Sequence, residues 1–166
     1  MSHSVTITRT TVATSGSAMY VNSGYICTMP GFLKLAQLVL GAACVGVVGY
    51  YMDYAGYSVV NGKAELFFLL MAVTFLIGTF CLLTACLISM STASIISKTI
   101  YELIYHGVAF VLYLCAGLTL LIEVNHQKNY YRRGYEPYFA AAIMGLVQAF
   151  LYFLSTFMAN RTYRGI

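Results

Sequence analysis

Ile95-Ile96-Ser97-Lys98-Thr99-Ile100-Tyr101-Glu102-Leu103-Ile104-Tyr105-His106 opens an apolar run that continues from Gly107 to Leu121. Read as a helix, the run is long enough to cross a bilayer, which takes about 20 residues. It holds the only acid and the only histidine set inside an apolar run. Glu102 and His106 are four apart and share one helix face, and Lys98 lies one turn earlier on that face. Ionisable groups at membrane depth are costly, so their placement needs a reason. Three roles are open: an ion-pair and hydrogen-bond ladder that sets helix register, a contact with a partner, or a proton relay. A relay draws on acceptors from several helices. The other spans offer only Gln37 and Gln148 as strongly polar groups. The ladder is therefore the preferred reading.

Composition points the same way. Hydrophobic residues make up 60% of the 166 positions and charged residues 8%, against about 25% charged in an ordinary soluble chain. So few charges cannot cover a water-exposed surface, and lipid is the expected solvent. The net charge of +4 comes without the dense basic run that nucleic acid requires. Five cysteines occur, Cys27, Cys44, Cys81, Cys86 and Cys115, and four lie in apolar runs where Cys behaves as a small hydrophobe. No disulfide framework, no CxxC and no His/Cys metal spacing can be read. A paired-carboxylate site, a Ser/His/Asp set and a phosphate loop are also absent. The expectation is a protein that is not an enzyme and carries no cofactor or metal.

Working outward, three more apolar runs appear, giving spans at about 32–51, 66–90, 95–121 and 138–158. Residues 1–29 form a Ser/Thr-rich tail, expected to be flexible and cytoplasmic. The tail lacks the apolar core of a signal peptide, and Ser2 stands where myristoylation needs glycine. A phosphorylated or sorting-signal role is its alternative. Cys27, just before the first span, is a candidate for palmitoylation. Pro30-Gly31 marks the start of that span, and Lys34 is placed to snorkel to the interface. Ala42 and Gly46 give a small-xxx-small face, either for packing inside the bundle or for a dimer seam. Thr74 and Gly78 repeat that spacing in the second span. Ser91–Ser94 reads as a tight connection that makes the second and third spans antiparallel neighbours.

The loop from Glu123 to Pro137 mixes charge with tyrosine, as an interfacial belt does. Within it Val124, Tyr130 and Arg132 fit a loose cholesterol-contact pattern. Ala141, Gly145 and Ala149 form a small-residue ridge on the fourth span, the clearest helix-packing face in the chain. Residues 160–166 are a short basic tail.

Four spans put both ends on one side. The side holding the ends carries Arg9, Lys34, Lys98, Arg161 and Arg164, and the other carries Lys63, Lys128, Arg132 and Arg133. Five against four barely decides orientation by the positive-inside rule. The missing signal peptide and the near-neutral far loops favour cytoplasmic ends. Asn160-Arg161-Thr162 is a glycosylation sequon, usable only in the opposite topology. The fold expected is an all-α membrane protein, a four-helix transmembrane bundle with short loops and cytoplasmic N- and C-termini.

Two stretches carry a resemblance. Gly31-Phe32-Leu33-Lys34-Leu35-Ala36-Gln37-Leu38-Val39 opens the first span, and Tyr101-Glu102-Leu103-Ile104-Tyr105-His106 lies in the third. With four spans and a tight middle connection, they resemble the MARVEL domain family, which includes MAL, plasmolipin, the chemokine-like factor group and small insect proteins. The likeness covers residues 30–159. Claudin-type proteins need a Trp-bearing first loop, and this chain has no Trp. Tetraspanins need a large Cys-rich loop, also missing. The resemblance implies a role in membrane microdomains, vesicle trafficking, or membrane apposition and junctions. It implies lateral partners: membrane lipids including cholesterol, other membrane proteins and further copies of the chain. Residence in the plasma membrane or trafficking vesicles follows. The rival reading is a small transporter or channel subunit using Glu102 and His106.

Overall fold

In each long helix the residues that face inward recur every three or four positions, as one helix stripe requires. In α4, Ile100–His126, the inward row is Glu102, His106, Ala109, Tyr113, Ala116, Leu120 and Val124. The structure, a computed structural model, describes residues 23–54, 63–126 and 135–165. The remaining helices are α1 (Met29–Tyr54), α2 (Lys63–Ile88), the short α3 (Met90–Ile96) and α5 (Tyr135–Arg164), and a 3-10 turn at Ser23–Cys27 precedes α1. No strand occurs among the described residues. Among the described residues four helices are long and apolar enough to cross a membrane. The protein is an all-α, four-span bundle. The tail through Asn22 and the loop residues Tyr130 and Arg132 lie outside the described residues.

The long helices form a ring: α1 packs on α2, α2 on α4, α4 on α5, and α5 back on α1. That leaves α1 facing α4, and α2 facing α5, across two diagonals. Inside the ring lie Cys44, Val48, Phe68, Ala72, Phe75, Tyr113, Leu120 and Tyr152. Phe32, Val39, Ile77, Val111, Phe150 and Phe157 point outward. An apolar exterior gives no hydrophobic drive to close the bundle in lipid, so close packing and hydrogen bonds must hold it.

Small residues supply the close packing. A Cβ on Gly117 of α4 would lie 3.1 Å from Leu146 Cδ2 and 3.4 Å from the Leu146 backbone nitrogen. A Cβ on Gly145 of α5 would overlap the Phe68 ring from α2. Ala141 and Ala149, on the same ridge as Gly145, are buried at 0% and 1% exposure.

Three expected boundaries shift. The run from Ile95 is not one helix. Ser89 caps α3 by accepting from the Thr92 N–H at 3.2 Å, so Ser91–Ser94 lie inside a helix of about two turns rather than in a bare connection. The Ser97 and Thr99 hydroxyls bond back to the Ser94 and Ile96 carbonyls, which breaks the chain before α4 starts at Ile100. Glu123 belongs to α4 and not to a loop. The expected basic tail is largely helical: α5 runs to Arg164 and ends where Gly165 takes φ +72°, the left-handed step that closes many helices.

Candidate functional site

Lys34 does not snorkel. It is 1% exposed, and its ammonium pairs with the Glu102 carboxylate across the α1–α4 diagonal. The Lys34 Nζ also donates to Tyr25 Oη at 3.2 Å and lies 5.9 Å from the centre of the Tyr25 ring. Tyr25 sits in the 3-10 turn outside the spans. Burial there, then the neighbouring Cys86, push its phenol well above the usual range, so it serves Lys34 as a neutral acceptor. The backbone of the turn can come this close because Gly31 has no side chain: a Cβ there would overlap the Tyr25 carbonyl.

This pairing corrects the expected row. Glu102 and His106 do share the inner face of α4, with His106 Nε2 3.6 Å from Glu102 Oε1. Lys98 is exposed and sits in the turn before α4, off that face, because the Ser97 and Thr99 hydroxyls end the helix around it. The cation that answers Glu102 comes from another helix, 68 positions earlier in the chain.

From this pair a polar column continues inward. Gln37 Nε2 donates to Ser155 Oγ at 2.8 Å and to the Leu151 carbonyl at 3.1 Å. Gln148 Nε2 donates back to the Gln37 carbonyl at 2.7 Å. These bonds tie α1 to α5. On the other diagonal, Thr79 Oγ1 of α2 lies 2.7 Å from Tyr152 Oη of α5 and 3.0 Å from Tyr105 Oη of α4. The Tyr105 hydroxyl donates to the Phe75 carbonyl at 3.2 Å. Tyr113 and Tyr152 stack with ring centres 5.5 Å apart. Both diagonals are thus braced by side chains, one by an ion pair and one by a hydroxyl bond.

The small-residue faces divide. Ala141, Gly145 and Ala149 turn into the bundle. Ala42 and Gly46 do not: both are exposed, and a Cβ on Gly46 would meet nothing within 4 Å. Packing of this pair inside the bundle is overturned. The reason is the rotation of α1. Lys34 and Gln37 must face inward to find partners, and residues 42 and 46 then fall on the opposite side. Gly78 is half-buried under Tyr105, whose hydroxyl would lie 2.6 Å from an added Cβ, while Thr74 is exposed. Cys27 is exposed and free at the end of the 3-10 turn.

A pocket of about 100 Å³ reaches the pair from the end of the bundle, lined by Lys34, Glu102, His106, Ser97, Ser155 and Thr162 among others. Further in, the Tyr105–Thr79–Tyr152 contacts fill the ring. No group of His, Cys, Asp and Glu that could hold a metal occurs among the described residues. The arrangement holds helices together and leaves a small polar recess at the ion pair.

Sequence reading gave Lys34 a different role and missed Thr79, Tyr105, Tyr113, Tyr152 and Gly117. An inward helical period was available for the tyrosines: 105, 113 and 152 all recur at core spacing with residues such as Ala109 and Ala149. Against known proteins, a family model described as MARVEL, a membrane-associating domain, matches residues 25–158. No curated protein and no solved structure matches the chain.

Proposed function

Because the chain belongs to the MARVEL family of membrane-associating domains, we propose that it organises membranes laterally. It would gather lipids and other membrane proteins into microdomains, carriers or apposed membrane zones. The observation that carries this reading is how the two surfaces are used. Lys34, Gln37, Thr79, Glu102, Gln148 and Ser155, polar side chains within the spans, are turned inward and joined from helix to helix. The outer surface is left apolar and free for lateral contact. A rigid bundle with such a surface acts through what it touches in the bilayer plane.

In this reading Lys34 and Glu102 fasten the bundle, and His106 fills the space behind them. Ala141, Gly145 and Ala149 serve internal packing. Ala42 and Gly46 remain for a partner or a second copy. The termini face the cytoplasm, where the exposed Cys27 would stand beside the lipid for acylation. Plasma membrane and trafficking vesicles are the compartments that fit.

A channel or transporter subunit is the second reading, favoured by the recess that reaches Glu102 and His106. The test is the full-length chain in giant vesicles and in cells, with Glu102→Gln beside it. The organising reading expects the native chain to cluster and to redistribute lipid domains without carrying protons or ions. It expects the variant to lose assembly and clustering together. A Glu102→Gln chain that assembles and clusters normally but has lost a measurable flux would overturn it.

A further inference from the structure

The ring of helices is open at the end where α1 and α4 begin and α5 finishes. The pocket of about 100 Å³ lies there, with room for about three waters or one phosphate-sized group. Deep in it His106 is 1% exposed; its Nε2 stands 3.6 Å from the Glu102 carboxylate, too long for a hydrogen bond, and its Nδ1 has no hydrogen-bond partner. Buried polar atoms are almost always satisfied, so Nδ1 calls for a partner from outside the chain. Ser97 and Thr162 place hydroxyl-bearing side chains at the same pocket, and Pro30, Leu33 and Met158 add an apolar edge.

Charge decides what that partner is. The sequence has five acids. Four of them stand at the opposite end of the bundle: Asp53 in the last turn of α1, Glu65 in the first turn of α2, Glu123 in the last turn of α4 and Glu136 in the first turn of α5. The fifth, Glu102, is neutralised by Lys34. Cations border the pocket in sequence: Lys98 follows Ser97, Arg161 precedes Thr162, and Arg164 lies one turn on. All three are exposed. Lys34 is five residues into its span, roughly 8 Å from the helix start, so the mouth sits at headgroup depth.

We propose that this pocket seats the phosphate of an anionic glycerophospholipid. The phosphate takes hydrogen bonds from His106 Nδ1 and from the Thr162 hydroxyl. Lys98 and Arg161 supply the charge. The glycerol and upper acyl chains lie on the apolar edge at Leu33 and Met158. That edge, at the membrane surface, is what separates a lipid seat from a site for a free anion. The proposal deepens the lateral-contact reading by naming a lipid class. It rests on this end of the bundle lying at headgroup depth and not on the organising role itself.

The test is native mass spectrometry of the full-length chain in mild detergent, titrated with phosphatidylserine, phosphatidic acid and phosphatidylcholine of matched acyl chains. Anionic lipid is expected to be retained several-fold better than phosphatidylcholine. Lys98→Gln and Arg161→Gln each lower that preference about fivefold, the usual effect of one cation near an anionic surface. Thr162→Phe keeps every charge but fills the mouth, and it too removes the preference. Equal retention of the three lipids overturns the proposal. So does a Thr162→Phe chain with its preference intact, since the cations then act as a diffuse field. Inorganic phosphate that shifts the His106 imidazole ¹⁵N resonances as fully as lipid does overturns the lipid assignment. Each outcome is independent of whether the chain clusters in cells.

Discussion

Removing Glu102 or Lys34 singly strands a charge, and the consequence can be worked from their burial. Lys34 is 1% and Glu102 5% exposed, so neither keeps much water when its partner goes. Breaking such a pair costs about 3–5 kcal/mol. The stranded group can escape by losing its charge. Lys34→Met and Glu102→Gln are each expected to lose about 3–5 kcal/mol. The double variant has no buried charge and should lose less than either single one. Lys98→Met, at an exposed turn, should stay within about 0.5 kcal/mol of the native chain. With no Trp in the sequence, unfolding is best followed by circular dichroism during dodecyl sulfate titration of mixed micelles. If the double variant loses the sum of the two single losses, or if Lys98→Met falls as far as Lys34→Met, the pairing across the diagonal is wrong.

Other substitutions probe the packing. Gly145→Ala should destabilise by about 1–3 kcal/mol through overlap with the buried Phe68 ring, and Phe68→Leu should recover part of that loss in the same titration. Gly46→Ala, with open space around it, should be neutral or stabilise by about 0.5–1 kcal/mol through helix propensity. Thr79→Val removes one bond from each of the Tyr152 and Tyr105 hydroxyls, which keep the Phe75 carbonyl, and should lose about 0.5–1.5 kcal/mol. Gly31→Ala should displace the Ser23–Cys27 turn, seen as faster amide exchange there, while the melting of the four long helices changes little.

The number and type of spans were legible, because long apolar runs and scarce charge leave a chain few options besides crossing a bilayer. Helix rotation was much harder to read. Ala42/Gly46 and Ala141/Gly145/Ala149 carry the same small-residue spacing, yet one faces out and the other in. What separates them is the company each keeps: Lys34 and Gln37 pull one side of α1 inward, and Gln148 and Tyr152 pull α5 round so that its ridge follows. Lys34 lies near a span start, where snorkelling and burial give the same sequence pattern. Its partner is 68 residues away, and no local spacing records that distance. The Ser/Thr cluster before α4 was ambiguous for a different reason. The same hydroxyls that read as a bare connection can cap a short helix, as Ser89 does, or end one, as Ser97 does.

The buried pair can be measured directly by solid-state NMR of the protein in bilayers, recoupling the Glu102 carboxyl carbon with lysine side-chain nitrogens. The ion-paired bundle predicts a distance of about 4 Å or less to one lysine, a signal that survives Lys98→Gln and vanishes in Lys34→Met. No recoupling to any lysine, or a signal lost with Lys98→Gln instead, would contradict it.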